Sequence, residues 1–527
     1  MKIENNVIYG GNYDKKFENI SFGEFILRSL NKGGYCEYLI NAKSGLTWTY
    51  ADVLRETKKF ANSFHTFDIK RNDKIAIISE NRHEIAAIHF AAFCLNSIVA
   101  PINFAYTTME IRHALNLTQP KIIFVSNLSA KNSIDACKEL KFVKKVVNFD
   151  DRSFVNFIQK YHCNDFNLEE IVKQQIDIYT QSLPKGCELT QGNLFFTLGQ
   201  YHNIQQTFKH FKRFNRTLNI APWFHVIGFA NLFLSLFSSQ FSCVYIPKFN
   251  PHLFLRTIEK YKIVNILAPP PIVILLAKSP LVDQYDLSSL RLLSSGGASL
   301  TEEIENEIKS RFKSNLQIFQ TYGMTETLTL TAYHKLENPI QKSIGKVLKG
   351  VYAKVIDNDG VALGPNKAGE LCFKGPNIMK EYINNAKATA ETIDKDDFLH
   401  TGDLGYYDEN FNFFIVDRLK ELIKYKAYQV APAEIEGLFL SHPKIKDAGV
   451  IGIPNDVVGE LPFAFVVKLP EVELTEKEVQ DFIKENASNA KWLRGGVEFV
   501  DEIPKNPSGK ILRRELREAY KISKAKL

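Results

Sequence analysis

From about Asp73 onward, short runs of β-branched residues alternate with stretches whose apolar positions recur at helical spacing. Lys74-Ile75-Ala76-Ile77-Ile78 predicts a strand, residues 84–95 an apolar helix, and Ser97-Ile98-Val99-Ala100 a second strand. Residues 109–117 predict a second helix and Lys121-Ile122-Ile123-Phe124-Val125 a third strand. Continuous apolar runs of this length fit strands covered on both faces. Strand–helix–strand alternation then predicts a mostly parallel sheet flanked by helices. The pattern resumes after residue 215 and turns strand-rich over residues 344–414. A boundary falls at Val416-Asp417-Arg418-Leu419-Lys420. Beyond it, a compact pattern places a capped helix over 432–440, strands over 448–453 and 464–467, a helix over 475–486 opened by Thr475 and Glu478, and a last strand over 497–500. The chain, 527 residues long, exceeds what one core supports. The expected architecture is α/β. A large N-terminal domain (1–416) has mostly parallel sheets, flanking helices and a β-rich subdomain. A hinge (417–420) then leads to a small mobile α+β domain (421–527).

Two long uncharged stretches raise the question of a membrane span. Residues 226–246 carry Asn231, Gln240 and four serines, and residues 85–109 carry His89, Asn96, Pro101 and Asn103. Polar groups at that density are costly in hydrocarbon, so both are expected to be buried core, with no transmembrane segment. The start, Met1-Lys2-Ile3-Glu4-Asn5-Asn6, has no apolar core of a signal peptide. The 66 basic and 59 acidic residues leave +7 without a block of like charges. That balance calls for no nucleic acid, and it suits small anions among other partners. The seven cysteines are scattered with no C-x-x-C pair, so neither a disulfide framework nor a structural zinc site is expected. The terminal Ala525-Lys526-Leu527 is similar to the Ser-Lys-Leu address read by the peroxisomal import receptor; without it the protein would be cytoplasmic.

The chemistry gathers in a few segments. In Gln320-Thr321-Tyr322-Gly323-Met324-Thr325-Glu326, a glycine stands between an aromatic face, hydroxyls and a carboxylate able to hold Mg²⁺. Ser294-Ser295-Gly296-Gly297-Ala298 ends a strand in a turn that lets a ligand approach the backbone. Thr401-Gly402-Asp403 offers an acceptor carboxylate, Asp417-Arg418 and Lys424-Tyr425-Lys426 set cations near the hinge, and Pro504-Lys505-Asn506-Pro507-Ser508-Gly509-Lys510 ends a loop on a lysine.

In this order, and across nearly the whole chain, the set resembles the adenylate-forming superfamily of acyl-CoA synthetases, 4-coumarate–CoA ligases and insect luciferases. Its nearest likeness is to the luciferase-like fatty-acyl-CoA ligase branch. Ala277-Lys278-Ser279-Pro280-Leu281-Val282, Leu422-Ile423-Lys424-Tyr425-Lys426, Gln429-Val430-Ala431-Pro432-Ala433-Glu434 and Leu493-Arg494-Gly495-Gly496-Val497 carry the branch-level similarity. The resemblance implies that a carboxylate attacks the α-phosphate of ATP with Mg²⁺ present, and that CoA then takes the acyl group from AMP. It implies Lys510 as the adenylation lysine, Thr325 at the α-phosphate, Glu326 on Mg²⁺, Asp403 and Arg418 on the ribose, and Tyr322 against adenine. Lys185, Gly296, Gly297, Ala298, Gln320, Thr321 and Gly323 would complete the nucleotide site. His225, Ile227, Gly228, Gly297, Leu328 and Leu330 would line the acyl pocket, His225 near the carboxylate. Lys424 would serve the second half-reaction after rotation about the hinge.

The chain departs from that pattern at the phosphate loop. The family has Tyr-Ser-Ser-Gly-Thr-Thr-Gly-Leu-Pro-Lys-Gly; this chain has Tyr179-Thr180-Gln181-Ser182-Leu183-Pro184-Lys185-Gly186. About three residues and both loop glycines are missing, and with them the freedom to curl N–H groups around phosphates. Two lost charge-assisted bonds at about 1.5–3 kcal/mol each would slow adenylation by roughly two to four orders of magnitude. Ala427 and Glu381 stand where relatives have glycine. The apolar Leu328-Thr329-Leu330, Ile227, and Thr197 in place of an arginine suit a medium- or long-chain fatty acid better than a luciferin. The expectation is a fatty-acyl-CoA ligase. The alternatives are a catalytically impaired binding protein and, third, a luciferin monooxygenase.

Overall fold

A computed structural model describes the chain except residues 14–19, 174–178, 183–185, 208–215, 239–240, 298–299, 301, 313–315, 329–331, 334–339, 427, 456, 507–508 and 526–527. Lys185, Ala298, Leu330, Ala427 and the last two residues of the import-like motif thus lie outside the described residues.

Two parallel sheets form the centre of the large domain. A four-stranded sheet runs Ile98–Ile102, Lys74–Ile78, Ile122–Val125, Lys145–Asn148, every pair parallel. A seven-stranded sheet runs Gln317–Gln320, Leu292–Ser295, Asn265–Ala268, Arg216–Asn219, Ser242–Tyr245, Glu37–Asn41, Thr47–Thr49, parallel except for its final hairpin. The largest core cluster draws side chains from both sheets: Ile75, Ile77 and Phe124 from one, Leu39, Cys243 and Tyr245 from the other. The helix His83–Cys94 contributes most of its residues to this cluster, which is why its sequence is apolar all round rather than striped. The uncharged stretch after Val226 is likewise interior, a helix Val226–Ser238 followed by the strand Ser242–Tyr245. No helix among the described residues is long and apolar enough to cross a membrane.

The strand-rich region builds an eight-stranded sheet in the order Lys2–Glu4, Val7–Tyr9, Tyr352–Ile356, Gly369–Lys374, Leu399–Tyr407, Phe413–Arg418, Ser343–Val347, Ala332–Tyr333. Burial alternates strictly along Leu399–Tyr407, so Thr401 and Asp403 face inward while His400 and Gly402 face the other way. A carboxylate turned inward is costly unless it finds donors. Asp403 finds two, described below.

From Ile423 on, a separate five-stranded sheet forms. Tyr428–Val430, Ile423–Tyr425, Gly459–Lys468 and Ile445–Asn455 lie in order, with Gly496–Phe499 parallel to Gly459–Lys468. It has cores of its own, one around Val450, Ala464 and Ile483, another around Phe463, Phe465 and Leu516. The helix Glu476–Asn486 carries the expected capping box between Thr475 and Glu478. The helix Pro432–Ser441 corrects an expectation: Ala431 gives no side-chain cap, and the helix starts on Pro432, whose ring presets the first turn. The cap comes instead from the strand Phe413–Arg418, where Asp417 Oδ2 accepts the Ala433 N–H at 3.1 Å. All seven cysteines are free thiols.

Candidate active site

Strands Asn265–Ala268, Leu292–Ser295 and Gln317–Gln320 are parallel neighbours, so their C-terminal ends open onto one edge, where crevices in such sheets form. At that edge lie Pro269 with the start of the helix Pro270–Lys278, Gly296-Gly297 and Thr321-Tyr322-Gly323. Gly297 has φ +91°, the left-handed region that side chains disfavour. A Cβ on Gly296 would lie 3.0 Å from Thr321 Oγ1, so the two turns are closely apposed.

Over this edge lies a cleft of about 260 Å³. The large domain lines it with Gly297, Gln320, Thr321, Tyr322, Gly323 and Asp403, the end of the strand Phe413–Arg418 with Asp417 and Arg418, and the small domain with Glu436, Lys505, Lys510 and Arg513. Asp403, 4% exposed, accepts from the Tyr322 hydroxyl at 2.5 Å and pairs with Arg418 Nε at 3.2 Å. Burial raises its pKa, and Arg418 opposes that rise. Gln320 departs from its expected role: its side chain bonds both ways with the Leu300 backbone and donates to Glu305 Oε1 at 3.0 Å, fixing the strand end rather than offering a free donor. Arg513 Nη2 donates to both oxygens of Glu436 at 2.7 Å, and Lys505 pairs with Asp447 at 2.6 Å. These two pairs were not legible from the sequence, because 77 residues separate Arg513 from Glu436 and no local motif links them.

Lys510 reaches the cleft because its loop docks on the large domain. Gly509 has φ +83°, and a Cβ there would come 2.8 Å from Pro271 Cγ, so the contact admits glycine alone without movement. Asn506 Oδ1 accepts the Lys510 N–H at 2.9 Å. Burial, then the Arg418 charge, lower the Lys510 pKa to about 8, while Asp403 pulls it back up. A cation so placed loses its proton as pH rises through about 8 and is charged below that. Capture of an anion in the cleft is therefore expected to weaken above about pH 8 and to hold below it. Lys510→Arg, whose guanidinium stays charged, is expected to flatten that alkaline fall in nucleotide affinity, followed by calorimetry from pH 6 to 10.

A second cavity of about 180 Å³ adjoins the cleft, sharing Gly297, Pro271 and Gly509, and is lined by Ile220, Pro222, His225, Ile227, Phe249 and Leu267. His225 is half-buried, and burial lowers its pKa, favouring the neutral ring. The Ile227 N–H donates to His225 Nδ1 at 3.3 Å, which leaves the ring proton on Nε2. Gly228 serves by size: a Cβ would lie 2.1 Å from the Pro222 carbonyl oxygen. Leu328, expected in the acyl pocket, does not line this cavity. It is 1% exposed inside the largest core, where a left-handed backbone turn (φ +46°) sends it.

Thr325 and Glu326 lie on the short turn Thr325–Thr327, and neither lines the cleft. Glu326 Oε1 accepts from the Tyr382 hydroxyl at 2.6 Å, and the rest of the carboxylate could serve a hard cation that keeps most of its waters. Lys424 is exposed on Ile423–Tyr425, its N–H donating to Glu460 Oε2 at 2.8 Å, and it too is outside the cleft lining. At the expected phosphate loop, Tyr179–Ser182 and Cys187–Thr190 pair antiparallel with Ser182 opposite Cys187, leaving the four positions 183–186 to join them. Positions 183–185 of that connection lie outside the described residues.

An AMP-binding enzyme family model matches residues 33–383, and the model of the AMP-binding enzyme C-terminal domain matches residues 434–510. The luciferin 4-monooxygenase of Photuris pensylvanica is 37% identical, covering 99% of this chain and 100% of its own. The probable 4-coumarate–CoA ligase 1 of Dictyostelium discoideum is 38% identical over 88% of each chain. Among solved structures, ATP-bound MatB from Rhodopseudomonas palustris superposes with TM-score 0.83 at 23% identity, covering 95% of this chain and 99% of that one. The chain belongs to the AMP-binding, adenylate-forming enzyme family, whose members include acid–CoA ligases and luciferases.

Proposed function

We propose that the protein is an ATP-dependent acid–CoA ligase acting on an apolar, medium- to long-chain carboxylic acid. The observation that carries this is the junction of two spaces: a cleft holding Asp403, Arg418 and Lys510, and an apolar cavity with a neutral His225 at its side. At about 180 Å³ the cavity is small beside the ~300–1,000 Å³ typical of ligand sites, which favours the medium-chain end of that range. In the proposed first step an oxygen of the acid's carboxylate bonds to the α-phosphorus of ATP and the bond to pyrophosphate breaks. Lys510 neutralises charge on the phosphate oxygens as it builds, Asp403 accepts from the ribose hydroxyls, and Tyr322 walls the base. Mg²⁺, when bound through Glu326, supplies further charge neutralisation. The work is positioning and electrostatics. In the second step the CoA sulfur bonds to the acyl carbon, AMP departs and the thiol proton passes to solvent.

Lys424 is given the second step in this reading: it is exposed and outside the cleft lining, and a turn of the small domain about Asp417–Lys420 would bring it to the cleft. Lys424→Ala is expected to leave pyrophosphate release within about two-fold of the parent and to slow thioester formation from supplied acyl-adenylate by ~10-fold or more, on the scale of one lost charged contact. Equal losses in both assays would remove the assignment.

A second reading is favoured by the short connection at positions 183–186: a family member that holds adenylates while activating acids poorly. The two are separated by pyrophosphate release across saturated acids of graded length; none at any length would leave the second reading alone. Light emission from luciferin is the observation that would support an oxygenase, and the apolar cavity lining argues against it.

A further inference from the structure

We propose that Glu370, Cys372 and His400 form a binding site for one borderline-soft divalent cation such as Zn²⁺, on the eight-stranded sheet and separate from the cleft. The three donor atoms lie within 4.8 Å of one another, and this is the one such His/Cys/carboxylate group among the described residues. His400 Nδ1 is 3.0 Å from Glu370 Oε2 and 3.7 Å from Cys372 Sγ. With metal–ligand distances of about 2.0–2.3 Å, tetrahedral donors sit roughly 3.3–3.8 Å apart, so only small adjustments are needed.

The placement follows from the sheet. Glu370 and Cys372 are two apart on Gly369–Lys374 and share a face, and Cys372 stands opposite His400 across the antiparallel pair. A register shift between Glu370 and Cys372 lets a third ligand converge, as β-irregularities do where side chains must be re-aimed.

Outer contacts already orient the donors. His400 Nε2 faces Asp394 Oδ2 at 3.4 Å, and Asp394 is anchored by Lys354 at 3.1 Å and by the backbone N–H groups of Asp396 and Phe398. A carboxylate behind the imidazole is the arrangement that fixes metal-binding histidines. Glu370 uses Oε1 to accept the Gly402 N–H at 2.9 Å and keeps Oε2 on the His400 side. Cys372 is fully buried, packed with Ile356 and Phe398, while the Glu370 and His400 side chains are 19% and 28% exposed, giving an ion an entry route. Sulfur, nitrogen and one carboxylate oxygen match zinc's preferences and leave a fourth position for water. On binding, the ion replaces the thiol proton on Cys372 Sγ, the proton passes to solvent, and no electron moves.

The test uses the full-length, metal-stripped protein with Co²⁺ as the probe. The expected result is a thiolate-to-cobalt charge-transfer band and strong visible bands of four-coordinate cobalt. Both should saturate at one equivalent, bleach on adding Zn²⁺, and be lost in Cys372→Ala and in His400→Gln. Zn²⁺ is expected to raise the unfolding midpoint of the parent but not of His400→Gln. No charge-transfer band at one equivalent overturns the site, as does a band that survives in folded His400→Gln, the deciding variant should Cys372→Ala fail to fold. In either of those outcomes the trio is a hydrogen-bonded strap between strands and nothing more.

Discussion

Lys510→Ala is expected to lower acid-dependent pyrophosphate release by about two to three orders of magnitude, the usual scale for removing one preorganised charge stabiliser from a transition state. The physical case rests on where the lysine is held. Its loop is pinned by Gly509 against Pro271, and it faces a cleft whose other charges include Asp403 and Arg418. A side chain of that kind is already placed when charge develops on the phosphate, so it need not reorganise. Its pKa is lowered to about 8 first by burial, which penalises the charged form, and then by the nearby Arg418 charge. A phosphate anion beside the lysine favours its charged form, so it is expected to meet the phosphate oxygens as a cation. The accompanying control is thioester formation from supplied acyl-adenylate, which is expected to fall far less. A fall of similar size in both assays points to lost folding or docking instead.

The second large effect concerns the short connection. Inserting a Gly-Thr-Thr-Gly-like segment after Ser182 is expected to raise the adenylation rate by roughly two orders of magnitude or more, if two charge-assisted N–H bonds at about 1.5–3 kcal/mol each are regained. The chain length is the basis: four residues separate Ser182 from Cys187, fewer than the family's loop has between the same points. Steady-state pyrophosphate release at saturating acid reads the result. An unmodified protein already turning over as fast as the insertion variant would show that the missing glycines are not limiting.

The meeting of Glu370, Cys372 and His400 illustrates what linear reading misses. Cysteine spacing contains no pair, yet Cys372 meets His400, 28 residues on, because an antiparallel sheet sets them opposite. The same is true of Asp417, whose carboxylate caps a helix at Ala433, and of Arg513 with Glu436. Elements whose signal is local were legible: the strands Lys74–Ile78 and Ile122–Val125, the capping box at Thr475, and the glycine turns at Gly296 and Gly323. So was the gathering of Asp403, Arg418, Tyr322 and Lys510, through resemblance rather than periodicity. The N-terminal hairpin was not, since Lys2–Glu4 and Val7–Tyr9 are three-residue strands, and it is Val7–Tyr9 alone that pairs with Tyr352–Ile356 far along the chain. Leu328 was misplaced for a related reason: its hydrophobicity fits a pocket or a core equally, and only the turn decides between them.

The most direct measurement is calorimetric titration of the intact protein with a non-hydrolysable acyl-adenylate mimic, alongside Asp403→Asn. A nucleotide held between the two domains predicts one site per chain, at least about ten-fold weaker in the variant, since Asp403 would no longer accept as a charged group. Binding that is absent in the parent, or unchanged by Asp403→Asn, would contradict a nucleotide seated on that carboxylate and closed over by Lys510.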